Sequence, residues 1–139
     1  METTSSAAET EALAAELAGD LAAGDILLLS GDLGAGKTTF VRGAARALGA
    51  AGPVTSPTFT IGQIYPAPVP VSHLDLYRVG SLEDEEPGLL DEYLAADVIA
   101  FVEWAELAEG AGELERVAAR VRIEHAGGDR REITIERLR

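Results

Sequence analysis

The sequence predicts an α/β fold of three layers, α/β/α, with helices packed on both faces of a mostly parallel sheet that carries antiparallel additions. Three observations predict it. Two short runs, residues 26–29 and 98–102, are apolar on both faces, as strands buried inside a parallel sheet are. Segments of helical apolar spacing alternate with such runs. The chain then closes with two alternating stretches, residues 117–124 and 131–137, around Gly127-Gly128-Asp129, the pattern of an antiparallel hairpin.

Taken in chain order, residues 1–8 are polar and read as a flexible tail. Thr10 is placed to cap a helix whose Leu13, Leu17 and Leu21 form one stripe, with Glu11 in its first turn. Gly24-Asp25 ends it, and the strand at 26–29 runs into a glycine-rich turn over residues 30–36. From Lys37 onward, Phe40, Val41, Ala44, Ala45 and Leu48 recur at helical spacing, and Gly49 supplies the left-handed residue that ends a helix. Strands are expected over residues 59–65 and 71–77, separated by Pro66, Pro68 and Pro70. Residues 81–94 are acidic and partly helical, with Pro87 as a break, and the 97–102 strand is followed by Glu103-Trp104 and a short alanine-rich helix. The 139 residues contain no repeat and no long linker, so the expectation is one domain over 1–139.

Composition narrows the chemistry. The chain is 47% hydrophobic, enough for a core, and has no cysteine, which excludes disulfides, cysteine zinc sites and thiol nucleophiles. His73 and His125 are too few for a histidine-rich metal centre. No apolar run approaches a membrane span and the N-terminus lacks the basic start and apolar core of a signal peptide, so a cytoplasmic protein with no membrane partner is expected. The formal charge of −13 argues against a broad nucleic-acid groove. Twelve acidic and no basic residues fall between 79 and 115, which reads either as a solvated acidic face or as a surface for a basic partner. Ten of the eleven basic residues are arginine, and the sole lysine is Lys37. A compact ammonium and a planar guanidinium are not interchangeable in a tight pocket, which draws attention to that position.

Lys37 sits in Gly31-Asp32-Leu33-Gly34-Ala35-Gly36-Lys37-Thr38, the phosphate-loop pattern, between an expected buried strand and an expected helix. In a P-loop NTPase-like fold the glycines let backbone N–H groups of Gly34, Ala35 and Gly36 converge on phosphate oxygens, and the helix start adds its partial positive charge. Lys37 would reach the β and γ phosphates, Thr38 would place its hydroxyl on magnesium, and Thr39 would make a further phosphate contact. A magnesium nucleotide also calls for an acid at the carboxyl end of a neighbouring strand. Glu103 ends one apolar run, and Asp75 ends another strand on which His73, Asp75 and Tyr77 share a face. Either carboxylate would orient the attacking oxygen while the other serves the metal, and the residues alone leave the two roles open. Ser56-Pro57-Thr58 reads as a proline turn or a nucleotide-sensing loop. The chain has no asparagine and no second lysine from which to build a guanine-recognition loop, so adenine is the expected base. Trp104 lies beside the site or simply packs.

The segments Gly31 to Phe40, Ser56-Pro57-Thr58-Phe59-Thr60, His73-Leu74-Asp75-Leu76-Tyr77-Arg78 and Val102-Glu103-Trp104 resemble, in order and spacing, the TsaE family. The resemblance implies a small P-loop ATPase that uses ATP and Mg2+, binds the TsaD and TsaB proteins, and supports formation of N6-threonylcarbamoyladenosine on tRNAs reading codons that begin with adenine. It implies contact with tRNA only through that complex, and no transfer of the threonylcarbamoyl group by this chain. It also implies magnesium ligands at Thr38 and Glu103, a catalytic set of Lys37, Asp75 and Glu103, a switch-like loop at Ser56-Pro57-Thr58, and a nucleotide contact from Arg131. Two other classes compete: a small-molecule kinase, which needs an arginine lid that the base-free stretch between Arg78 and Arg116 does not offer, and a nucleotide-gated binding module in which turnover is incidental.

Overall fold

The computed structural model describes residues 2–31, 36–50, 62–75, 93–103 and 117–138. Nine elements follow in order among them: β1 (Glu2–Thr4), α1 (Ala7–Ala18), β2 (Ile26–Gly31), α2 (Lys37–Ala47), β3 (Gly62–Tyr65), β4 (Val71–Asp75), β5 (Ile99–Glu103), β6 (Val117–His125) and β7 (Arg131–Arg137).

The strands form one seven-stranded sheet in the order β1-β7-β6-β2-β5-β4-β3. Its centre is parallel: β2 pairs β5 and β6, and β5 pairs β4. Its margins are antiparallel, with β7 and β1 added beyond β6 and β3 added beyond β4. This is the mostly parallel sheet with antiparallel additions that the apolar runs predict. β2 is central because Ile26, Leu27, Leu28 and Leu29 are all buried, so the strand has no face to offer to water.

One face of the sheet is covered by α1 and α2. Leu27, Leu29, Phe101, Ala119, Val121 and Ile123 meet Phe40, Val41, Ala44 and Ala45 of α2 and Ala14, Leu17 and Ala18 of α1 in a single core. The two helices approach closely at Gly43, where an added Cβ would lie 2.4 Å from the Glu11 carbonyl oxygen. On the opposite face Ile26, Leu28, Leu74, Ala100, Val102 and Ala118 are buried too, as the three-layer reading requires. Tyr93 lies on that side, its carbonyl accepting from the Ser72 hydroxyl at 2.6 Å. The helices expected within 81–94 and after Trp104 lie outside the described residues.

Two expectations at the N-terminus are corrected. Residues 1–8 were expected to be a loose tail, yet Glu2–Thr4 pairs antiparallel with β7 and α1 begins at Ala7. The helix is capped by Ser6, whose extended backbone lets its hydroxyl accept from Glu9 N–H at 3.1 Å. Thr10 is not the cap: it is buried inside α1, its hydroxyl 2.7 Å from that of Thr4, and so ties the edge strand to the helix. The helix is also shorter than its stripe suggests, ending at Ala18 before Gly19 so that Leu21 lies beyond it, and the strand expected over 97–102 runs from Ile99 to Glu103. Residues 59–61 and 76–77 of the other two expected strands lie outside the described residues. α2 starts at Lys37 and is followed by Gly49 at φ 90°. The closing hairpin turns through Gly127 and Gly128, both at positive φ. Among the described residues no helix is long and apolar enough to cross a membrane.

Candidate functional site

The carboxyl ends of the parallel strands converge on one rim of the sheet, and the chain order reverses around β2, with β5 on one side and β6 on the other. Ligands of open α/β sheets collect at such a point. β2 delivers Gly31 there, and the chain re-enters at Gly36 to begin α2. Gly31 is at φ 131°, and an added Cβ would stand 1.9 Å from the Ile123 carbonyl oxygen of β6. The first glycine of the loop is therefore fixed both by backbone conformation and by contact with the next strand. Asp32, Leu33, Gly34 and Ala35 lie outside the described residues.

Gly36 is in the left-handed conformation, φ 103°, and makes no side-chain cap for α2, whose first turn holds no acidic residue. A helix start left this way directs its leading amides and its partial positive charge outward, which favours an anion. Lys37, Thr38 and Thr39 occupy that turn. Lys37 is 6% exposed, and its Nζ donates to the Gly31 carbonyl at 3.1 Å. The ammonium thus lies against the last residue of β2.

Glu103 closes β5, in register with Leu29 on β2 and with Asp75 on β4. Its carboxylate is buried, and Oε2 is 2.7 Å from His73 Nε2. Asp75 has the expected place at the carboxyl end of β4. Because paired residues share a face, Glu103 belongs to the same side of the sheet as Leu29, the side that carries α2, and its contact with His73 puts that imidazole there too. Arg131 opens β7 on the same rim, because the hairpin returns the chain there from His125. Its Nε lies 4.0 Å from where a Gly36 Cβ would be, and its guanidinium donates to the Gly128 and Arg130 carbonyls at 2.7 and 2.8 Å.

Of the expected site residues, Gly36, Lys37, Thr38, Thr39, Asp75, Glu103 and Arg131 therefore gather at one edge, whereas Gly34, Ala35, Ser56-Pro57-Thr58 and Trp104 lie outside the described residues. The residue that sequence reasoning left without a role is His73. Its signal was its face, shared with Asp75 by period two; its bond to Glu103 depends on β4 and β5 being neighbours, which spacing alone does not reveal. Among the described residues no three acidic or histidine side chains are grouped to hold a metal by themselves. The hard oxygens of Thr38 and Glu103 suit magnesium that keeps phosphate and water ligands, the usual way that ion is held at a nucleotide.

The chain is similar to known proteins over most of its length. The family model described as threonylcarbamoyl adenosine biosynthesis protein TsaE matches residues 4–133. The tRNA threonylcarbamoyladenosine biosynthesis protein TsaE of Bacillus subtilis is 48% identical over 128 residues, spanning 91% of this chain and 78% of its own. The protein of the same name from Streptomyces coelicolor is 44% identical over 124 residues, spanning 84% and 80%. The crystal structure of YdiB from Bacillus subtilis superposes with a TM-score of 0.72 at 37% identity, covering 99% of this chain and 84% of that one.

Proposed function

The chain belongs to the TsaE family of threonylcarbamoyl adenosine biosynthesis proteins, and on that premise we propose that it binds and hydrolyses ATP in support of N6-threonylcarbamoyladenosine formation on tRNA. In this reading it acts in the cytoplasm with the TsaD and TsaB proteins, meets tRNA through them, and does not itself transfer the threonylcarbamoyl group. The observation that carries the ATP reading is the sole lysine of the chain, Lys37, buried at an uncapped helix start with its Nζ 3.1 Å from the Gly31 carbonyl.

The division of labour follows from the positions. Amides of the loop and of the first turn of α2 would cradle the β and γ phosphates, with Gly34, Ala35 and Gly36 chosen for close backbone approach and Thr38 and Thr39 adding N–H and hydroxyl donors. Lys37 would leave the Gly31 carbonyl for the phosphate oxygens, a move over one side chain's reach that a flexible ammonium makes readily. Arg131, beside Gly36, would place its guanidinium on the nucleotide. Thr38 and Glu103 would hold the magnesium ion, which when bound supplies neutralisation of charge on the phosphates. Asp75, in register with Glu103, would orient the attacking water. The acidic balance of the chain fits a protein that docks on a tRNA-modifying assembly without gripping RNA itself.

The test is to supply ATP and Mg2+ to the protein alone and with TsaD and TsaB, following phosphate release and modification of tRNA. Slow release alone, acceleration by the partners, and loss of repeated modification in Lys37→Ala are expected. Undiminished modification over many turnovers with Lys37→Ala would overturn the reading. Phosphorylation of a metabolite without partners would replace it with a kinase.

A further inference from the structure

We propose that His73 is a positioning residue for Glu103: its Nε2–H holds one carboxylate oxygen, Oε2, so that Glu103 keeps a single orientation and turns its other oxygen to the magnesium nucleotide. The inference rests on the ATP reading above and deepens it.

Strand register builds the contact. His73 stands opposite Phe101 and Asp75 opposite Glu103, so Glu103 is the diagonal neighbour of His73 on one face. The imidazole is fully buried and the carboxylate nearly so, and their nitrogen and oxygen are 2.7 Å apart, the length of a charge-assisted bond. His73 Nδ1 is the one buried side-chain nitrogen or oxygen among the described residues that has no hydrogen-bond partner. Gln63, opposite His73 on β3, accepts from the Tyr65 hydroxyl.

These facts select one tautomer. With hydrogen on Nδ1 alone, an N–H would be stranded in the interior and a bare Nε2 would face a carboxylate oxygen, two unfavourable arrangements at once. With hydrogen on Nε2, the carboxylate gains a donor and only a lone pair is left unmatched. A buried pair of this kind is a poor way to stabilise a core, which two apolar side chains would fill as well. It lies instead at the rim where β2, β4 and β5 end, with Glu103 in register with Leu29 two residues before Gly31, and so serves the site. A donor behind a ligating carboxylate fixes its orientation, and removing such outer partners weakens metal affinity or activity by about 10- to 100-fold.

The test compares the full-length chain with His73→Leu, which lacks the donor, and His73→Gln, whose amide N–H falls near the place of Nε2. Each is titrated calorimetrically with β,γ-imido-ATP without metal, and then with Mn2+ followed by electron paramagnetic resonance. Metal-free nucleotide affinity is expected to stay within about two-fold in both variants. Mn2+ affinity of the nucleotide complex is expected to fall about ten-fold or more in His73→Leu and to recover in His73→Gln, with kcat falling while KM for ATP holds. Should His73→Leu bind Mn2+ as tightly as the parent, the inference fails while the ATP reading stands. Should the parent bind no nucleotide, the ATP reading fails and the inference with it. A second measurement needs no folded variant: nitrogen-15 spectra of the parent's imidazole are expected to place hydrogen on Nε2 of His73, and hydrogen on Nδ1 alone would overturn the proposal.

Discussion

Gly31 and Gly128 are both glycines at positive φ, and they differ in what surrounds them. Around Gly128, at φ 56°, nothing lies within 4 Å of an added Cβ, whereas at Gly31 the Ile123 carbonyl is 1.9 Å away. Gly128→Ala should therefore cost about 1 kcal/mol for the left-handed backbone alone. Gly31→Ala has to move β6 as well and should cost at least about 2 kcal/mol, with loss of nucleotide binding. Urea melts of the two variants check the contrast, and equal midpoints would refute it. Glu103→Gln keeps an oxygen for His73 but removes the charge, so the fold should persist while phosphate release drops on the order of a hundredfold, as for loss of other charge-stabilising groups. Hydrolysis at the parental rate would remove Glu103 from the site. The placing of Gly36, Lys37, Thr38 and Thr39 at the start of α2 was legible from spacing and residue type. The His73–Glu103 bond was not, because it joins residues thirty apart through a strand adjacency that no local pattern encodes.

β2, α2 and the β6–β7 hairpin were legible because each carries a strong signal of its own: a run apolar on both faces, a helical stripe ending in glycine, and two alternating stretches around a glycine turn. β1 carries none. Of Glu2, Thr3 and Thr4 only Thr4 is buried, and the strand exists because β7 offers it an edge and Thr10 offers a hydroxyl. The same fact explains the misplaced cap, since Ser6 and Thr10 are both favourable capping residues and only the pairing of β1 consumes Thr10. The α1–α2 contact is set by Gly43 against the Glu11 backbone, while the Glu11 carboxylate meets Arg42 and Arg46 at 3.7 Å in partly exposed pairs. Gly43→Ala should then destabilise by about 1–3 kcal/mol by forcing the helices apart. Glu11→Gln should cost less than about 1 kcal/mol, as exposed ion pairs do. Thermal unfolding of both variants measures the difference, and the reverse ranking would mean that charge, not close approach, holds the helices.

The sheet as assembled explains why residues from four distant stretches meet at one rim. Parallel pairing of β6, β2, β5 and β4 brings their carboxyl ends to one rim, and the antiparallel return of β7 sets Arg131 at that rim beside Gly36. Sequence could propose Arg131 only by resemblance, because its nearness to the loop is a property of the assembled hairpin. A ligand that binds only the folded rim stabilises the entire domain, by about 2.7 kcal/mol at a hundred times its dissociation constant. Unfolding should accordingly shift upward by on the order of 10 °C with ATP and Mg2+ present. That shift should vanish in Lys37→Ala. The decisive measurement is a calorimetric titration of ATP with Mg2+ into the parent chain and into Lys37→Ala. One saturable site in the parent, weakened at least tenfold when the ammonium is gone, is the predicted result. A parent chain that gives no binding heat at any temperature tried, or a variant that binds as tightly as the parent, would contradict it.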